Sequence, residues 1–86
     1  MLTFPNQSRV YDPTRHAIRF WGHDSAMEWS FFVTVDALRR LERKLDSNEA
    51  SFLLAFDAHR PAIYAAAAKL YRREKKGSYE LAATDF

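Results

Sequence analysis

His16-Ala17-Ile18-Arg19-Phe20-Trp21-Gly22-His23-Asp24-Ser25-Ala26-Met27-Glu28-Trp29-Ser30-Phe31-Phe32-Val33 is the stretch that decides the fold. Two strand-like runs, His16 to Trp21 and Met27 to Val33, flank the polar patch His23-Asp24-Ser25. Together they predict a β-hairpin. With Asp24 and Ser25 at the centre of the loop, Phe20 opposes Trp29, Ile18 opposes Phe31 and His16 opposes Val33. Cross-strand partners point the same way, so these six share one face. The other face carries Ala17, Arg19, Trp21, Glu28, Ser30 and Phe32. One face is apolar apart from His16, and the other is mixed. That asymmetry predicts an antiparallel sheet packed on one side. A one-residue slip would put Phe20 and Trp29 on opposite faces, so the pattern resists it.

Toward the N-terminus, Leu2-Thr3-Phe4 alternates and stops at Pro5, and Arg9-Val10-Tyr11 extends again. Asp12-Pro13-Thr14-Arg15 has turn composition, with Asp first and Pro second. Beyond the hairpin the period changes. Thr34 is an N-cap residue, with Asp36 in the first turn. Val35, Leu38, Leu41 and Leu45 then recur at helical spacing. Asp46-Ser47-Asn48 ends that helix and caps the next. Phe52, Phe56, His59, Ile63, Ala66 and Leu70 form a second stripe. Pro61 interrupts it, because a helix-interior proline costs roughly 3 kcal/mol. The helix therefore either kinks there or ends near His59 and restarts at Pro61. Gly77 is a suitable C′ residue. Ser78 to Ala83 alternates as a final strand, with Tyr79, Leu81 and Ala83 on one side.

The 86 residues suit one domain, 1–86. The chain has no Cys, which excludes a disulfide staple and a thiolate zinc site. Hydrophobic residues make up 48% and aromatic residues 15%, which supplies a core and excludes disorder as the main state. Phe20, Trp29, Phe31, Phe52 and Phe56 are predicted to converge on that core, with Tyr64, Tyr71 and Tyr79 at its margins. The longest apolar run, Ala62 to Ala68, is far short of the roughly 20 residues that cross a bilayer. No secretory signal opens the chain, so a cytoplasmic location without membrane partners is expected. The formal charge is only +2, and the excess lies in residues 35–86. That excess is too small to point to nucleic acid without a cluster.

Several motifs occur in an order that resembles a known family. These are Leu2-Thr3-Phe4, then Tyr11-Asp12-x-x-Arg15-x-x-Ile18-x-Phe20, then Val33-Thr34-x-Asp36-Ala37-Leu38. Phe56-x-x-x-Arg60-x-x-Ile63-x-x-x-Ala67 and Leu81-x-x-x-Asp85-Phe86 follow. The chain resembles the small bacterial proteins grouped as domain of unknown function 1488. The resemblance implies an α+β fold, with an antiparallel sheet and helices on one face. It implies no activity. The family pattern requires neither Pro61 nor the basic run Arg72 to Lys76.

No catalytic, cofactor or metal site emerges from the residues. His16 and His23 lie seven positions apart, so on one strand they point to opposite faces. His59 belongs to a helix stripe, where a partly buried histidine with a local partner is expected. No serine sits in a G-x-S-x-G elbow, and two glycines make no phosphate-cradling loop. A non-catalytic domain without cofactors is the expectation.

Two surfaces remain. If helices cover one sheet face only, Trp21 and Phe32 are left partly in water on the other, framed by Arg19, Glu28 and Ser30. Large exposed aromatics suit an unknown protein partner or a homodimer. The competing reading has the segment around Val10 and Tyr11, or the twist of the sheet, covering them. The second surface is the run Arg72, Arg73, Lys75 and Lys76. Cations there complement the helix dipole. Joined to Lys69 and to Arg39, Arg40, Arg43 and Lys44, they would instead contact phosphates. The expected function is therefore a protein-interaction or self-associating module, with weak nucleic-acid binding as the alternative.

Overall fold

A computed structural model describes residues 1–74 and 76–86. Five strands and three helices follow one another as β1 (Leu2–Thr3), β2 (Arg9–Asp12), β3 (Ala17–Asp24), β4 (Met27–Thr34), α1 (Val35–Leu41), α2 (Glu49–Ala58), α3 (Arg60–Arg73) and β5 (Ser78–Leu81). A short 3-10 turn at Ala83–Asp85 ends the chain. β3 is the central strand: β1 and β2 both pair along one of its sides, and β4 pairs along the other. The class is α+β, as the hairpin and stripes predict.

The β3–β4 register differs from the expected one by two residues. Phe20 opposes Phe31, Ile18 opposes Val33 and Gly22 opposes Trp29. Period-two alternation is unchanged by a shift of two, so every residue keeps its face. The loop is Ser25-Ala26, and Ser25 takes φ 56°, the left-handed backbone a tight hairpin loop uses. His16 leaves the expected core-facing row altogether. It closes the preceding turn at φ 52°, lies exposed, and its Nδ1 is 2.9 Å from the Tyr11 hydroxyl.

β5 pairs parallel to β4, with Ser78 opposite Ser30 and Leu81 opposite Val33. The expected sheet was antiparallel throughout. Alternation of Tyr79 and Leu81 reports their face but not the strand direction, which the three-helix crossover imposes. The strand stops at Leu81, and Asp85 Oδ2 accepts from the Ala82 N–H at 2.7 Å.

The helices start where their caps require. Thr34 Oγ1 accepts from Ala37 N at 3.1 Å, and Asn48 Oδ1 accepts from Ser51 N at 2.8 Å. α1 ends at Leu41, earlier than the stripe to Leu45 suggested, yet Leu45, in the loop that follows, still joins the buried core. At Pro61 the chain breaks rather than kinks. His59 ends α2, and Pro61 sits in the first turn of α3, where its missing N–H would be unpaired anyway. His59 Nε2 lies 3.1 Å from Glu42 Oε1, which ties this junction to the end of α1. α3 ends at Arg73 with Glu74 as its C-cap, so Gly77 lies beyond the C′ position expected of it.

All three helices lie on the face that carries Ile18, Phe20, Phe31 and Val33, and with Phe52, Phe56, Ile63 and Leu70 these residues form the core. Tyr79 belongs to it rather than to its margin: it is buried and stacks on Phe31 at 5.0 Å. Its hydroxyl donates to the Glu74 carbonyl. Trp29 is only partly buried against this core.

Two devices fasten the N-terminal segment over the core. The first is the gap at Gly22. A Cβ there would lie 2.9 Å from Leu2 Cδ1 and Phe31 Cε1 and 3.0 Å from Phe4 Cε1. The bare glycine thus lets Leu2 and Phe4 close down, and Phe4 stacks on Tyr64 with centroids 4.1 Å apart. The second device is Asp57. Its carboxylate accepts from Arg9 at 2.9 and 2.8 Å and from Arg60 at 2.8 Å. Arg60 also donates to the Gln7 carbonyl and the Tyr64 hydroxyl. The Arg9 hydrogen bonds, helped by Arg60, hold the Asp57 carboxyl below the usual carboxylate range, against the opposing effect of burial.

Gly22→Ala is expected to destabilise by about 1–3 kcal/mol, because fully buried Phe31 must shift. Gly77→Ala, with open space around its Cα, should change stability by less than about 0.5 kcal/mol. Urea midpoints at a constant m-value test both. Asp57→Asn should lose about 1 kcal/mol at neutral pH, since the pairs are partly exposed. A lowered folded pKa gives stability that is present above the unfolded value and lost as pH falls through the folded one. The gap between parent and Asp57→Asn should therefore narrow below about pH 4, and a gap that persists in acid would contradict the assignment.

Candidate functional site

With every described helix on one side, the opposite face of the sheet has no second layer among the described residues. Register sets out its residues in rows across the strands. One row is Val10–Arg19–Phe32–Glu80. Beside it runs Trp21–Ser30–Ser78, and beyond that Thr3–His23–Glu28. Asp12–Ala17–Thr34 completes the face at the start of β3.

Two of these residues are buried without belonging to the main core, Ala17 and Phe32. Phe32 is only 7% exposed, so the expectation that it stands partly in water is corrected. Val10 is separated from it by Arg19 in the same row. Arg15, carried by the Asp12–His16 turn, places its guanidinium carbon 4.0 Å from the centre of the Phe32 ring. Arg19 lies 5.8 Å from the same ring centre and 5.2 Å from that of Trp21. The turn that aims Arg15 is built by Asp12, whose Oδ1 accepts from the backbone N–H groups of Thr14 and Arg15.

The four residues singled out on this face thus have distinct settings. Trp21 is half-buried and Arg19 exposed. Arg19 donates to Ser30 Oγ at 2.8 Å, which steadies its guanidinium between the two rings. Glu28 Oε2 lies 3.0 Å from His23 Nε2, directly across the hairpin. Phe32 lies beneath the arginines. Sequence reasoning missed Arg15 and Val10. Val10 is 53% exposed next to Arg19, at the sheet margin. The Asp12-Pro13 turn signal was visible, but not the direction in which it throws Arg15.

Among the described residues of the basic run, two cations have carboxylate neighbours. Arg73 lies 3.9 Å from Asp85, and Lys76 lies 3.5 Å from Glu74. Arg72 is exposed, and Lys75 lies outside the described residues. In the other basic group, Arg39 donates to the Leu45 carbonyl and to Ser47, and Arg40 donates to the Phe86 carbonyl. These contacts fasten the α1–α2 loop and the C-terminal turn to α1.

Elsewhere, a shallow recess of about 390 Å³ runs beside Trp29, Tyr71, Tyr79, Lys76 and Gly77. There the Tyr71 hydroxyl donates to Asp24 Oδ2 at 2.7 Å. That bond, reinforced by burial, raises the Tyr71 pKa above the usual tyrosine value. Asp24 also pairs with the N-terminal amine at 2.9 Å. Among the described residues, no three His, Asp or Glu side chains gather where they would hold a metal ion. No described helix is long and apolar enough to cross a membrane.

Comparison with known proteins bears on the family and the fold. No curated protein matches the chain. A solved structure, that of a protein of unknown function from the DUF1488 family of Shewanella loihica PV-4, is similar with a TM-score of 0.82. The two share 22% identity over 93% of this chain and 90% of that one, a level at which the fold is what they have in common. The family model described as protein of unknown function (DUF1488) matches residues 2–81. The chain therefore belongs to the DUF1488 family.

Proposed function

We propose that this domain is a non-catalytic protein-interaction module, and that its contact surface is the helix-free face of the sheet. The observation that carries the proposal is the setting of Trp21. It stands half-buried on the face away from the helices, one row from the exposed pair Arg19 and Val10. Trp and Arg are the side chains that most often dominate binding energy at protein interfaces. A one-sided sheet already has its core satisfied by the helices. An aromatic on the other face adds nothing to that core and is available to a second surface. Arg73 and Lys76 each have a carboxylate nearby, Asp85 at 3.9 Å and Glu74 at 3.5 Å, which would compete with phosphates for the helix end.

Photo-crosslinking in the cell tests this. A photoreactive phenylalanine analogue replaces Trp21 in one variant and Leu54, exposed on α2, in another. Adducts are expected from position 21 and to be severalfold weaker from position 54. The adduct from position 21 should also re-form from purified components. Equal labelling at both sites, or labelling from position 54 alone, would refute the assignment of the surface.

A further inference from the structure

We infer that the helix-free face docks an acidic peptide segment of a partner protein. Arg15 and Arg19 receive its carboxylate, and Trp21 and Val10 receive the neighbouring apolar side chain. This rests on the contact surface proposed above and adds the chemistry of the partner.

Charge complementarity carries the inference. Arg15 and Arg19 are both exposed, and their guanidinium carbons lie 4.0 and 5.8 Å from one and the same ring centre. Neither meets a carboxylate at ion-pair distance among the described residues, whereas Arg9, Arg60 and Arg73 each do. Both guanidinium groups therefore stand against one ring without an ion pair of their own, and a bound carboxylate would supply one.

Their orientation also suits an anion. A guanidinium that rests on an aromatic ring uses its flat face, so its N–H donors stay at the edge. Arg19 has one of those donors on Ser30 Oγ and the rest remain. Carboxylates and phosphates both match such a fork. The surroundings choose between them. Glu80 closes the row of Arg19 and Phe32, Glu28 lies two rows away, and Asp12 sits at the start of the face. A continuous string of phosphates would run past these carboxylates and be repelled. A single Asp or Glu beside an apolar residue meets the arginines without crossing the acidic rim.

The experiment uses the purified full chain against a phage-displayed library of random peptides, with a single-stranded DNA oligonucleotide as a parallel probe. Selected peptides are expected to pair Asp or Glu with an adjacent aromatic or aliphatic residue. A synthetic copy of one should bind the parent at least roughly tenfold more tightly than the Arg15→Gln/Arg19→Gln variant. Arg72→Gln/Arg73→Gln should bind it like the parent. Amide NMR spectra of all three proteins report folding, and shifts on binding should map to β3 and β4.

Failure of the inference and failure of the underlying surface are distinguishable. Peptides without acids, or binding indifferent to Arg15 and Arg19, that still map to Trp21 would overturn the acidic partner and leave the surface. Shifts confined to the helices would overturn both. No enrichment, or tighter binding of the oligonucleotide, would also overturn the acidic partner.

Discussion

A residue on a β-strand and its cross-strand partner must point the same way, and most of this molecule depends on that constraint at β3 and β4. Pairing Phe20 with Phe31 and Ile18 with Val33 places four apolar side chains on one side. Those side chains need a cover, and three helices supply it. The same pairing sends Arg19, Trp21, Ser30 and Phe32 to the other side, where no helix follows. Core and candidate surface are two consequences of one register.

The cover must also be anchored to the near edge of the sheet, where β1 and β2 are too short to hold by pairing alone. Gly22 answers this by absence, since its missing side chain is the space that Leu2 and Phe4 occupy. Asp57 answers it by charge, drawing Arg9 from β2 and Arg60 from α3 onto one carboxylate. The apolar contact resists displacement and the ionic contact fixes direction. Together they bring the first nine residues over the α2–α3 junction, where Phe4 meets Tyr64.

What the sequence encodes by periodicity was legible in it, and what depends on direction or distance was not. The faces of Phe20, Phe31, Arg19 and Trp21 follow from parity alone. The caps Thr34 and Asn48, and the break at Pro61, follow from local backbone chemistry. The two-residue shift of register is invisible to parity. So is the parallel course of β5, because Tyr79 and Leu81 alternate identically in either direction. The cover of Phe32 was beyond reach for another reason. It depends on where the turn after Asp12 projects a long, flexible arginine, and composition does not encode that vector. Trp21 and Arg19 were thus identified as surface residues, while Arg15 was not.

The manner in which Phe32 is covered matters for what the face can do. A phenylalanine on an uncovered sheet invites non-specific association. An aliphatic cover would remove that hazard and seal the ring away. An arginine cover removes it too, yet keeps a charged, hydrated edge at the surface. Arg15 and Arg19 therefore hide the aromatic ring from water while presenting hydrogen-bond donors in its place. A face that needed only solubility would be better served by pairing one of them with Glu80, which closes the same row. No such pair forms, which is why an external carboxylate is the counter-charge inferred for these arginines.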